Sequence, residues 1–113
     1  MQRHCYALDL KDDPQLIAAY EAAHQNVWPE ILSSLKEAGI VHAEIYRTAN
    51  RLFMILETTD SFSAERKAES DLNNPRVVAW ESLMWTYQQA LPGSASGEKW
   101  RRMSKIFDFN ADA

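Results

Sequence analysis

The sequence predicts one α+β domain, with a four-stranded antiparallel sheet that carries its helices on one face. Three observations predict it. Segments with period-two alternation open the chain, pair up in its middle and close it. Two helical stretches fill each gap between them, and each pair of stretches is broken at a proline. The 113 residues, 46% hydrophobic and 25% charged, suffice for one core. The resulting order, β-αα-β-β-αα-β, matches a ferredoxin-like sandwich, and residues 1–113 are read as a single domain.

"RHCYALDL" sets His4, Tyr6, Leu8 and Leu10 on one side and Cys5, Ala7 and Asp9 on the other, a strand pattern. Asp13 before Pro14 predicts an N-cap and a first-turn proline, with a helix from Pro14 to about Ala23. Pro29 keeps its predecessor out of the α region, so this helix stops or kinks near Trp28. A second helix starts at Pro29, turns Ile31, Leu32 and Leu35 inward and ends at Gly39. "IVHAEIYRT" and "RLFMILETT" read as strands joined by a turn near Asn50, and the second, almost wholly apolar, belongs in the sheet centre. "SFSAERKAES" predicts a third helix capped by Ser61. Asn74 caps a fourth, from Pro75 to about Ala90, with Val77, Trp80, Leu83, Met84 and Tyr87 at helical spacing. "LPGSASGE" is a loop of small residues, and "MSKIFDF" returns to strand-like alternation. Helices on one face leave the other bare. Tyr6, Leu8, Tyr46 or their neighbours then need cover from outside the chain, so a homodimer packed sheet to sheet is expected.

Charge and composition narrow the partners. A net charge of −4 argues against nucleic acid and anionic membranes, and "EKWRRMSK" alone is too short a basic run to reverse that. No apolar run approaches the length of a membrane span, and the N-terminus lacks a signal-peptide core. Cys5 is the only cysteine, which excludes an internal disulfide and suggests a reducing cytoplasm. His4, Cys5, His24 and His42 lack metal-ligand spacing, so no metal is expected. A Gly-rich phosphate loop and a GxSxG elbow are both missing, and Glu65 with Glu69 reads as an exposed helix face.

The candidate chemistry lies in "YEAAHQNVWPE". Tyr20 and His24 share a helical stripe, one turn apart, where the helix is about to end. The bland reading is a histidine placed to suit the helix dipole. The chemical reading is that an imidazole exchanges protons near neutrality, beside a phenol that donates or accepts a hydrogen bond. Trp28, Trp80, Trp85 and Trp100 have a similar double reading: core packing, or a flat platform for the C–H face of a sugar. Trp80 is the platform candidate, although spacing alone does not bring it to His24.

"YEAAHQNVWPEI" resembles the first-helix signature of the L-rhamnose mutarotase family: tyrosine, three residues, histidine, three residues, Trp-Pro-Glu. "AEIYRTANRLFMILE", "NNPRVVAWESLM" and "SKIFDF" resemble the family's central hairpin, fourth helix and last strand, so the resemblance spans nearly the whole chain. It implies a dimeric α/β barrel of ferredoxin-like subunits. It further implies an isomerase that interconverts the α and β anomers of a 6-deoxy-L-sugar, without metal or organic cofactor. The resemblance places the family's proton-donating histidine at His24 and its sugar-contacting tyrosine at Tyr20. Two large rings of the family pattern are absent: its consecutive tryptophans match Ala79 and Trp80, and a second sugar-contacting tyrosine matches Ala43. The pocket is therefore expected to differ in shape, which tilts the substrate from L-rhamnose towards L-fucose. The general base is left open between a carboxylate such as Glu30 and an ordered water. The same architecture also hosts cofactor-independent monooxygenases and haem-handling proteins, and a sugar-binding module without catalysis is a further alternative.

Overall fold

The computed structural model describes residues 1–112. In chain order the elements are β1 (Gln2–Leu10), α1 (Pro14–Ala23), α2 (Pro29–Glu37), β2 (Ile40–Thr48), β3 (Arg51–Thr58), α3 (Ala64–Leu72), α4 (Pro75–Trp85), β4 (Gln88–Gln89) and β5 (Arg101–Arg102). All strand pairs are antiparallel, in the order β2-β3-β1-β4, with β5 also on β1. This is the ferredoxin-like α+β arrangement, and the apolar β3 lies inside the sheet.

Local chemistry sets the boundaries. Asp13 Oδ1 accepts from the Gln15 and Leu16 amides at 2.9 and 3.4 Å, and Pro14 opens α1. Asn74 Oδ1 does the same for Arg76 and Val77 at the start of α4. Ser63 rather than Ser61 caps α3, accepting from the Arg66 amide at 3.2 Å, while Thr59 and Ser61 exchange a hydroxyl bond upstream. Gly39 ends the α2 connection at φ +93°, where an added Cβ would lie 2.7 Å from Thr59 Oγ1, so a side chain is excluded on both counts.

Two expectations about the C-terminal half need correction. The fourth helix ends at Trp85, not near Ala90, because the chain from Tyr87 onward finds backbone partners on β1: the Lys11 amide donates to the Tyr87 carbonyl at 2.9 Å. "MSKIFDF" is not a strand of this sheet. The edge of β1 is taken by Gln88–Gln89, opposite Leu10 and Asp9, and by Arg101–Arg102, opposite Ala7 and Tyr6. These pieces run in one direction along one edge, as a single edge strand interrupted by the loop 90–100. After the Met103 amide donates to the Cys5 carbonyl at 2.8 Å the chain leaves the sheet, with Ile106, Phe107 and Phe109 exposed.

The sheet faces also differ from the expectation. Residues paired across antiparallel strands share a face. Leu8 pairs with Leu52 and Tyr6 with Met54, and this side is covered by helices: Leu8 and Leu10 are fully buried and Leu52 nearly so. The bare side carries Cys5, Ala7, Phe53, Ile55 and Tyr46 instead, so Tyr46 is the one named residue that belongs there. The core joins Leu10 and Leu52 of the sheet to Tyr20 of α1, Ile31 of α2 and Val77, Trp80 and Met84 of α4. Each fully buried leucine contributes about 1.5–3 kcal/mol. The α3 helix buries no residue and leans on α4. Among the described residues, no helix is long and apolar enough to cross a membrane.

Candidate active site

A cavity of about 600 Å³ lies between the helical layer and the covered face of the sheet, within the usual range for small-molecule sites. The end of α1 forms one wall, with Tyr20, Glu21 and His24. An adjoining wall is built by α4 and the chain beyond it, with Trp80, Glu81, Met84, Gln88 and Trp100. The sheet supplies an apolar floor that includes Leu52, Met54 and Ala43.

His24 sits one residue beyond α1, where the ladder tightens into i→i−3 bonds from the His24, Gln25 and Asn26 amides, and Pro29 then opens the next helix. The last carbonyls of any helix lack intrahelical donors. His24 satisfies one of them: its Nδ1 lies 2.9 Å from the Tyr20 carbonyl oxygen. A carbonyl only accepts, so Nδ1 carries the hydrogen and Nε2 is left to exchange protons. Tyr20 is almost fully buried, its ring 4.4 Å from the imidazole and 6.3 Å from Tyr87. Burial pushes its phenol up to about 12. The Gln88 side chain opposes this and the Glu81 charge adds to it. At neutral pH Tyr20 is therefore a neutral hydroxyl, not a proton source.

Trp80 does meet His24, edge to face, with ring centroids 5.7 Å apart and planes at 71°. It also meets Trp28 at 5.1 Å. Trp80 is only 6% exposed and belongs to the core as much as to the cavity. Trp28 has one face under the Arg76 guanidinium at 4.2 Å, and Trp85 lies outside the cavity wall, near Lys99. Of the two alanines at family ring positions, Ala43 lines the cavity, whereas Ala79 is exposed and does not.

The carboxylates separate clearly. Glu30, a candidate base on sequence grounds, is exposed in the first turn of α2, faces Arg76 at 3.6 Å and is not part of the cavity wall. Glu21 lines the cavity but is held by Arg47. Glu81 also lines it, and burial raises its carboxyl above the ordinary range; Lys99 and Lys67 pull it down and Asp71 pushes it up. Lys67 itself binds Asp71 at 2.6 Å, and Lys99 rests over the Trp85 ring. Among the described residues, no three His, Cys, Asp or Glu side chains stand close enough together to hold a metal ion.

Glu81 and Gln88 line the cavity without a place in the sequence reading, and Trp100, read there only as one of four tryptophans, joins them. Glu81 had a readable signal: Val77, Trp80, Glu81 and Met84 follow the i, i+3, i+4, i+7 pattern of a buried stripe, so Glu81 is a carboxylate at a core position. Trp100 is an indole just after a Gly- and Ser-rich loop, which is a weaker cue. Gln88 is 3% exposed with Oε1 unpartnered, and nothing in its neighbours marks it.

Residues 3–109 match the family described as L-rhamnose mutarotase. The chain is 51% identical over 109 residues to an L-fucose mutarotase of Xanthomonas campestris pv. campestris, covering 95% of this chain and 87% of that protein. It is 28% identical over 88 residues to an L-rhamnose mutarotase of Acidiphilium cryptum, covering 76% and 85% of the two chains. Among solved structures, an L-rhamnose mutarotase of Formosa agariphila shares the fold at a TM-score of 0.72 and 20% identity, covering 97% of this chain and 100% of that one. A tetracenomycin F2 cyclase of Streptomyces glaucescens shares it at 0.63 and 14% identity, with 98% and 99% covered.

Proposed function

The chain belongs to the L-rhamnose mutarotase family, and from that premise we propose that it interconverts the α and β anomers of a 6-deoxy-L-hexose, L-fucose in preference to L-rhamnose, with His24 as the acid. One observation carries the reading: an imidazole with Nδ1 anchored to the Tyr20 carbonyl and packed against Trp80 forms part of the wall of a sugar-sized cavity. In ring opening, the bond between C1 and the ring oxygen breaks and its electron pair goes to that oxygen. The oxygen takes a proton from Nε2 of the His24 imidazolium, which is left as the neutral ring with its hydrogen on Nδ1. The anomeric hydroxyl gives up its proton to a base in the cavity wall and becomes the aldehyde oxygen. Rotation about C1–C2 and the reverse transfers close the ring on the other face. Nothing is oxidised or reduced, so the chemistry needs no redox carrier. The neutral Tyr20 hydroxyl orients the sugar, and Trp80 backs its C–H face.

Two facts favour L-fucose. The chain is more similar to the Xanthomonas L-fucose enzyme than to the Acidiphilium L-rhamnose enzyme. Ala43 also leaves room on the β2 side of the cavity, where the family pattern has a large ring. The working form is a homodimer. One protomer carries both a bare sheet face with Tyr46, Phe53 and Ile55 and an exposed apolar tail with Ile106, Phe107 and Phe109, and a two-fold axis would let copies cover these surfaces mutually. Light scattering after gel filtration should give about twice the 13.0 kDa chain mass. The lone Cys5 is consistent with a cytoplasmic location.

Saturation-transfer NMR tests the activity. The protein should speed exchange between the anomeric protons of L-fucose, and of L-rhamnose more weakly, with His24→Ala losing most of the gain. Exchange of both sugars at the buffer rate would refute the function. Equal acceleration by wild type and His24→Ala would remove His24 from the mechanism.

A further inference from the structure

We propose that Glu81 is the general base of this reaction, the carboxylate that takes the proton of the anomeric hydroxyl while His24 protonates the ring oxygen. The inference rests on the mutarotase reading and names the group that the reading leaves open.

Placement supports it first. Glu81 occupies the inward stripe of α4 between Trp80 and Met84, both buried, and lines the same cavity as His24. Trp80, its neighbour on the helix, meets the His24 ring. Glu81 is also close enough to Tyr20 for its charge to bear on the phenol. A carboxylate in a buried stripe costs stability through desolvation, and such a cost persists where the group has a task.

The other polar groups in the wall fail as the base for separate reasons. Tyr20 holds its proton throughout the neutral range. Gln25 and Gln88 do not titrate. Glu21 has its charge answered by Arg47, a side chain reaching across from β2. Glu81 meets charge only at longer range: Lys99 from the loop before β5 and Lys67 from α3 favour its ionised form, Asp71 from α3 and burial oppose it. The result is a carboxylate whose proton affinity is lifted towards the working pH, which suits a base that must also return its proton.

The step balances. In opening, the O–H proton of the anomeric hydroxyl passes to the Glu81 carboxylate and the O–H electrons form the C1=O double bond. The C1–O bond of the ring breaks, and its electron pair takes the proton from His24. Both residues are then neutral. Closure returns the His24 proton from the newly released hydroxyl and the Glu81 proton to the aldehyde oxygen, so each turnover restores the starting pair.

Glu81→Gln keeps the shape of the side chain and cannot accept a proton. Anomeric exchange of L-fucose, followed by saturation transfer, should fall by about 10²-fold or more relative to wild type, while sugar binding seen by saturation-difference NMR stays. In wild type the rate should also decline as the pH drops through the raised Glu81 pKa, and that limb should vanish in the variant. Glu81→Asp, which keeps a carboxylate on a shorter stem, should regain part of the rate. Wild-type acceleration left unchanged in Glu81→Gln overturns the base assignment alone, as does a variant that loses binding but not maximal rate. No acceleration by wild type overturns the mutarotase reading beneath it.

Discussion

The two walls of the cavity are held in different ways. On the α1 side, Tyr20 and His24 lie one helical turn apart, and a hydrogen bond from the imidazole to the backbone fixes the tautomer. Their geometry is local and survives as long as the helix does. On the α4 side, Glu81 is placed by the packing of Val77, Trp80 and Met84, and Trp100 is delivered by a loop that interrupts the edge strand. That wall depends on tertiary structure and on desolvation. The contrast suits the proposed roles: a donor needs one fixed nitrogen, whereas a base with a lifted proton affinity needs a dry setting.

Substitutions on the two walls should therefore differ in kind. The largest effect is expected from His24→Ala, which should remove about 10²–10⁴-fold of acceleration with little change in melting temperature, because the ring is only partly buried and its one bond is to a helix terminus. Trp80→Ala should do the reverse, unfolding the protein before informing on the sugar: it truncates a core tryptophan at a cost of about 3–5 kcal/mol, measurable by urea denaturation. Trp80→Phe is the variant that keeps the core and tests the platform through apparent affinity. Trp100→Ala, at a partly buried loop position, should weaken sugar affinity while the α1 wall, read by the His24 ring signals in NMR, stays in place.

Glu81→Gln carries a stability sign that the α1 wall lacks. Its folded pKa is raised above the unfolded value, so the native state prefers the protonated form. That contribution is complete below the ordinary carboxylate pKa and is lost as pH rises through the raised one. The variant should melt higher than wild type at neutral pH, with the gap closing on acidification, which is the cost of holding a carboxylate in a buried stripe. A wild type that melts higher than the variant at neutral pH would contradict this. The smallest effect is expected from Asn74→Ala, which removes the cap that starts α4 and should cost about 1 kcal/mol, again measured by denaturant titration.

The same contrast explains what could be read from the chain. Pro14, Pro29 and Pro75, the Asp13 and Asn74 caps and the positive-φ Gly39 act within a few residues, so the starts of α1, α2 and α4 and the order of the first seven elements were legible, whereas the cap of α3 was not. Tyr20 and His24 were legible for the same reason. The last strand was not. "MSKIFDF" alternates as a strand should, but alternation says nothing about whether a sheet edge is free, and Gln88–Gln89 with Arg101–Arg102 already hold that of β1. Which sheet face Tyr6 and Leu8 join depends on register against β3, a non-local property. Glu81 was legible in principle from its place in the stripe, whereas the meeting of Trp80 with His24, residues far apart in the chain, required the fold.

The most direct test of the account is chemical rescue. His24→Ala should lack accelerated anomeric exchange of L-fucose, and free imidazole should restore part of it, in proportion to its concentration and beyond what imidazole does in the absence of protein. A His24→Ala protein as fast as wild type without imidazole would contradict the claim that this side chain carries the proton to the ring oxygen.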